Sequence, residues 1–144
     1  MVQIKEINVK QAEVCFLLDS ESIRLWSLDQ WERELNRKDV RALAVFKEEN
    51  IIGVCVFQLI YDEAELYYIA IHPKFLRRGF GKVLFSEFIN ISEKYFIKKI
   101  FLEVSAKNLS AISFYESFDF KTYRVRENYY KDGSDAILKA KVIC

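Results

Sequence analysis

The chain has 144 residues, 51% of them hydrophobic and 15% aromatic, with 22 basic against 21 acidic side chains and a formal net charge of +1. That length fits one domain, residues 1–144, able to bury roughly 70% of the surface its unfolded form exposes, and the composition argues against disorder. The balanced charge argues against nucleic-acid binding driven by bulk charge, while one histidine and three dispersed cysteines (Cys15, Cys55, Cys144) give no metal-ligand spacing and imply free thiols, buried or terminal.

Val2–Ile7 alternates apolar and polar residues, as a half-buried strand does. Residues 9–18 read as a short helix, and Ser27 opens a second one that runs to about residue 37. Gln30 stands where a capping-box partner would, and Trp26 and Trp31 occupy the two positions of a hydrophobic staple. The loop before this helix either serves only to fix its entry angle or borders a substrate pocket. Residues 42–47, 51–61 and 65–72 are strand-like runs joined by short polar connections, so antiparallel hairpins are expected. The run 51–61 is interrupted by Gln58 and too short to span a bilayer, and no signal-peptide pattern opens the chain, so a cytoplasmic protein without membrane insertion is expected.

Pro73 stops the third of these strands, and residues 73–81 lead into a long helix, to about residue 95, with Leu84, Phe85, Phe88, Ile91 and Tyr95 at helical spacing. Residues 99–106 return to strand alternation. Residues 108–118 form a helix with Ala111, Phe114, Tyr115 and Phe118 along one side, and strands of about 121–130 and 136–143 flank Asp132-Gly133, a hairpin signal. The order β-α-α-β-β-β-α-β-α-β-β specifies a mixed α/β fold: a mostly antiparallel sheet with helices on both faces.

The segment Arg77-Arg78-Gly79-Phe80-Gly81-Lys82 follows a strand and opens a helix. A helix N-terminus presents unpaired N–H groups and partial positive charge, glycine lets a ligand approach the backbone, and three cations stand beside it. Together these make a phosphate or pyrophosphate site. The alternative is a glycine-rich turn with solvated arginines, because the spacing is neither that of a dinucleotide fold nor that of a P-loop.

The run from Tyr67 to Pro73 followed by Arg77-Arg78-Gly79-Phe80-Gly81 resembles the central motif of the GNAT acetyltransferases, written Q/R-x-x-G-x-G/A, and the element order is similar to theirs over nearly the whole chain. The resemblance implies acetyl-CoA as co-substrate and no metal. It further implies that Ile69, Ala70 and Ile71 bond the pantetheine arm through backbone groups, with the Ile71 N–H polarising the thioester carbonyl. Arg77, Arg78, Gly79, Phe80, Gly81 and Lys82 would wrap the pyrophosphate. Leu76 stands where the motif has Gln or Arg; since the backbone supplies most of the cradle, binding is expected to survive, with Arg77 compensating.

By itself, Glu103 on a strand face would be a solvated charge, and Tyr115 a core aromatic with its hydroxyl at the rim. Leu102-Glu103-Val104 with Asn108, the run from Phe114 to Phe120, and Arg126-Glu127-Asn128-Tyr129-Tyr130 with Asp132-Gly133 and Asp135-Ala136 resemble, however, the L-E-V-x-x-x-N, F/L-Y-x-x-x-G-F and R-x-x-Y-Y…D-G-x-D-A segments of the RimI-type ribosomal-protein-alanine N-acetyltransferases. That resemblance implies Glu103 as general base, through water, and Tyr115 as general acid to the departing thiolate. Asn108 would bond the CoA arm. Tyr129, Tyr130 and Asp135 would border the acceptor groove opposite Leu25 and Trp26. The implied acceptor is a protein N-terminus, that of a small-subunit ribosomal protein beginning in alanine. A lysine or small amine as acceptor, and a non-catalytic acetyl-CoA-binding module, are the competing readings. Asp119 stands where the family has glycine, with a small stability cost expected and no catalytic effect.

Overall fold

Strand β1 (Val2–Ile7) leads through a 3₁₀ turn (Val9–Gln11) into helices α1 (Ala12–Ser20) and α2 (Leu28–Asn36). Strands β2 (Val40–Lys47), β3 (Asn50–Ile60) and β4 (Glu63–Ile71) follow, then α3 (Phe80–Lys94), β5 (Lys99–Ser105), α4 (Leu109–Glu116), β6 (Lys121–Arg126) and β7 (Ala136–Val142). The structure, a computed structural model, describes residues 2–143.

Local chemistry explains most boundaries. The helix expected over 9–18 opens as a 3₁₀ turn because Asn8 and Gln11 close a reciprocal capping box, each side chain accepting a main-chain N–H at 2.9 Å. At α2 the Ser27 Oγ accepts the Gln30 N–H at 3.1 Å, and the Trp26 and Trp31 rings meet at 4.8 Å as the staple requires.

All seven strands lie in one sheet, ordered β1-β2-β3-β4-β5-β7-β6, in which only the β4–β5 pair is parallel. Helices α1 and α2 cover one face, where Trp31, Val54, Val56 and Tyr68 are buried together. Helices α3 and α4 cover the other over Phe57, Phe85, Phe88, Ile100 and Leu102. Cys15 and Cys55 are buried free thiols; burial, with Asp19 nearby, pushes the Cys15 thiol up to about 12. Cys144 lies outside the described residues.

The strand expected to run to residue 130 ends at Arg126. Asn128 adopts a left-handed backbone, the Asp135 carboxylate takes the Asn128 N–H at 2.9 Å, and the Ser134 carbonyl takes the N–H groups of Tyr129 and Tyr130, both at 3.1 Å. Residues 127–135 are therefore a structured loop. Asp132-Gly133 is a turn inside it, closed by the Gly133 N–H on the Tyr130 carbonyl at 2.9 Å.

Two register features prepare the site. In the β3–β4 ladder Val56 pairs with Tyr68 but Phe57 with Leu66, leaving Tyr67 as an inserted residue. Leu66 and Tyr68 consequently pack on opposite faces, and a bulge of this kind bends its strand. Second, β4 and β5 pair only from Glu63/Lys99 to Glu65/Phe101. Beyond those pairs the two strands splay apart.

Candidate active site

The splay opens a wedge in the sheet between residues 66–71 of β4 and 103–105 of β5, within a cleft of about 880 Å³. The His72 N–H donates to the Ile52 carbonyl at 2.8 Å, toward β3. Peptide groups alternate along a strand, so those of Ile69 and Ile71 face the wedge, whereas that of Ala70 turns to β3. Among the described residues no main-chain partner meets these wedge-facing groups, which suits an extended amide-bearing chain adding there as a strand does.

At one end of the wedge lies the loop before α3. Arg77 and Gly79 are both left-handed, with φ of 62° and 85°, and Gly79 is the N-cap of α3 without a side-chain cap. Among the described residues no acceptor meets the N–H groups of residues 77–82, the first helical bond being Val83 N–H to the Gly79 carbonyl at 3.1 Å. Six free N–H groups at the positive end of a fifteen-residue helix form an anion cradle. Arg77, Gly79, Phe80, Gly81 and Lys82 line the cleft. Arg78 is not among the lining residues; its guanidinium lies over the Phe75 ring at 5.5 Å. Leu76 reaches the rim, half exposed.

Glu103 and Tyr115 both line this cleft, from different directions. Glu103 alternates with the buried Leu102 and Val104, so it projects on the sheet face away from α4. Its Oε1 accepts the Tyr130 hydroxyl at 2.8 Å. Glu65, at the last paired position of β4, has its carboxyl raised above the usual range by partial burial and by the Glu103 charge. Tyr115 comes from α4 on the other side, 8% exposed, with Phe85, Phe114 and Phe120 ring centroids at 5.6, 5.6 and 6.1 Å. Burial pushes its hydroxyl above the ordinary phenol value, so it stays protonated at neutral pH. Two lysines of β7 hold the end of α4 in place: buried Lys139 contacts Glu116 at 3.3 Å and Thr122 at 3.0 Å, and Lys141 donates to the Phe118 carbonyl at 2.9 Å.

Asn108 lines the cleft and also caps α4, its Oδ1 accepting the Ala111 N–H at 3.1 Å; the side-chain amide is thereby oriented. Of the residues assigned to the acceptor groove, Leu25 and Tyr130 reach the cleft. The other three support it. Trp26 packs on Trp31 and Tyr68, Tyr129 meets Tyr130 edge-on at 5.2 Å, and Asp135 anchors the loop through the Asn128 N–H. The wall also includes Ser22, Ile23, Tyr67, Tyr68 and Ser105, which the sequence reading did not assign. Tyr67 and Tyr68 stand in the motif itself, but only the bulge decides what they face. Ser22 and Ile23 sit in a loop with no periodicity to read.

A carboxylate on one face of a split sheet, a phenol on the other and free helix N-terminal amides at the end of the split suit transfer of a group from a phosphorylated carrier to an amine. The acetyltransferase (GNAT) family profile matches residues 3–120. The chain belongs to the GNAT acetyltransferase family. It is 36% identical over 115 residues, 78% of this chain and 74% of the relative, to a Salmonella typhimurium protein named ribosomal protein bS18-alanine N-acetyltransferase. The crystal structure of the ribosomal-protein-S18-alanine N-acetyltransferase from Escherichia coli matches with a TM-score of 0.94 at 28% identity, covering 99% of this chain and 94% of that one. Arabidopsis thaliana NAA60 in complex with acetyl-CoA shares the fold at a TM-score of 0.86 and 17% identity, with 99% of each chain covered. As a GNAT acetyltransferase the chain is an acyltransferase, and the mixed sheet with helices on both faces is that family's fold. The family match spans the wedge, the cradle, Glu103 and Tyr115, and stops before the 127–135 loop.

Proposed function

We propose that this chain, as one domain, transfers the acetyl group of acetyl-CoA to the α-amine of a protein N-terminus, that of a ribosomal protein beginning with alanine, in the cytoplasm. The observation that carries the reading is the β4–β5 wedge, with free amides of residues 77–82 at one end and the Glu103–Tyr130 pair at the other. The residues fit acetyl-CoA: the cradle suits a diphosphate, and the Ile69 and Ile71 peptide groups suit an extended arm. The names of the relatives support the acceptor.

In this reading the Ile71 N–H donates to the thioester oxygen as negative charge develops there. The amine attacks the carbonyl carbon from the Glu103 side, the new C–N bond forms as the C–S bond breaks, and Glu103 receives the proton the nitrogen loses. Tyr115 gives its proton to the departing sulfur on the opposite side, so no covalent enzyme intermediate is required. A single carboxylate suffices as base for an α-amine, whose reference pKa lies about 2.5 units below that of lysine; the difference is worth about 3 kcal/mol.

The test is acetyl transfer from acetyl-CoA to a panel of N-terminal peptides, lysine peptides and free polyamines, with mass-spectrometric comparison of protein N-termini in cells with and without the gene. Preference for an alanine N-terminus is expected. Activity confined to lysine or small amines would overturn the acceptor assignment.

A further inference from the structure

Behind the acceptor wall stands a buried carboxylate. Asp19 closes the last turn of α1 at 0% exposure. A carboxylate at a helix C-terminus opposes the helix dipole, and burial withdraws it from water. An apolar side chain at this place would carry neither cost but would leave the donors around it without their acceptor.

Four donors converge on the Asp19 carboxylate. Oδ1 accepts the Leu25 N–H and the Tyr68 hydroxyl, both at 3.0 Å. Oδ2 accepts the Trp26 N–H at 2.9 Å, the Trp31 indole at 3.2 Å and a second branch from Leu25 at 3.1 Å. The Asp19 carbonyl takes the N–H groups of Ser22 at 3.0 Å and Arg24 at 2.8 Å. Four N–H groups of the loop 21–26 therefore end on one residue, and the loop is wound around it with Arg24 left-handed at φ 54°. Ser22, Ile23 and Leu25 of this loop line the cleft, as does Tyr68 of β4. A second tether runs outside, where Glu21 meets His72 Nε2 at 2.7 Å while His72 Nδ1 accepts the Lys74 N–H at 3.2 Å.

We infer that Asp19 is a positioning residue for the acceptor: it indexes the 21–26 loop to β4 at Tyr68, and thereby sets acceptor affinity and discrimination of the acceptor's first residue, separately from acetyl-CoA binding. The inference rests on the reading of the chain as a transferase to a protein N-terminus. Its physical basis is that the cradle at residues 77–82 shares no hydrogen bond with this network, so the two halves of the site are set independently.

The experiment uses Asp19→Asn, which keeps the size but turns an NH₂ toward neighbours that are all donors. The expected result is a peptide KM raised at least tenfold, kcat within threefold, reduced preference for alanine over larger first residues, and acetyl-CoA affinity by calorimetry within twofold of wild type. Trp26 and Trp31 are the two tryptophans of the chain, so a red shift of the emission maximum, reversed by saturating peptide, reports the loop directly. Tyr68→Phe removes one donor and leaves the loop amides bonded; it moves peptide KM in the same direction by a smaller factor and guards against a folding defect in the first variant. Unchanged peptide KM in both variants, with the wild type active, overturns this inference alone, as does a KM rise matched by an equal loss of acetyl-CoA affinity. A wild type that acetylates no peptide overturns the acceptor reading and this inference with it.

Discussion

The Tyr130 hydroxyl donates to Glu103 Oε1 at 2.8 Å, tying the 127–135 loop to the middle of β5. Partial burial, then the bond to Glu103 and its charge, raise the Tyr130 hydroxyl above the ordinary phenol value, so it remains a donor. A hydrogen bond to a charged group is worth about 1.5–3 kcal/mol, and the lower end applies because Glu103 is exposed. Tyr130→Phe is therefore expected to lower kcat/KM by about tenfold or less, and Glu103→Gln by about a hundredfold or more. In steady-state assays the double variant should be no slower than Glu103→Gln alone; additive losses would show that Tyr130 acts elsewhere.

With Tyr115 as the proposed acid, its hydroxyl governs the alkaline side of the pH profile. Its raised pKa keeps the hydroxyl protonated past the reference phenol value of about 10. The rate should thus rise as the acceptor amine deprotonates near pH ~8 and then level off, with no fall caused by Tyr115 below pH ~10. Tyr115→Phe should reduce kcat by about 10- to 100-fold and leave the rising limb in place. A falling limb near pH ~9 that disappears in the phenylalanine variant would contradict the raised pKa of Tyr115, and an unchanged kcat in that variant would contradict its role as the acid.

The two adjacent arginines should not be equivalent. Arg77 lines the cleft, whereas Arg78 lies over Phe75. Arg77→Ala is expected to weaken acetyl-CoA binding several-fold more than Arg78→Ala, measured by calorimetry. Gly79→Ala should weaken it further, since a side chain at φ 85° strains the backbone by about 1–2 kcal/mol at the centre of the cradle.

Asp119 sits at φ 68°, just past α4, with its N–H on the Glu116 carbonyl at 3.0 Å. The left-handed conformation expected from the family's glycine is therefore present and carried by an aspartate. Asp119→Gly should stabilise the protein by about 1 kcal/mol, raising Tm by roughly 2–4 °C in thermal unfolding, with kcat unchanged.

Lys139 is 1% exposed, while its partner Glu116 is largely in solvent. Removing the partner leaves a buried amine with Thr122 alone. Glu116→Gln should lower Tm by several degrees, while Lys139→Met, which removes the buried charge and keeps the volume, should be near neutral. A larger loss for Lys139→Met than for Glu116→Gln would reverse this assignment of cost.

Much of the fold and one half of the site were legible in the amino-acid order, because both depend on local chemistry. Alternation marks strands, 3.6-residue spacing marks α3, and Pro73 marks the end of β4. The strand–loop–helix placement of Arg77 to Lys82 marks an anion site, because a helix N-terminus has free N–H groups wherever it occurs. Other features came only with tertiary structure, because they depend on which strand lies beside which. The inserted Tyr67, the three-pair limit of the β4–β5 ladder, the Tyr130–Glu103 bond across 27 positions and the Tyr68–Asp19 bond across 49 have no periodicity to betray them. A strand's register and a loop's anchor are set by long-range packing, and it is these that bring a glutamate on a strand, a tyrosine on a helix and a loop wound on a buried aspartate to one cleft.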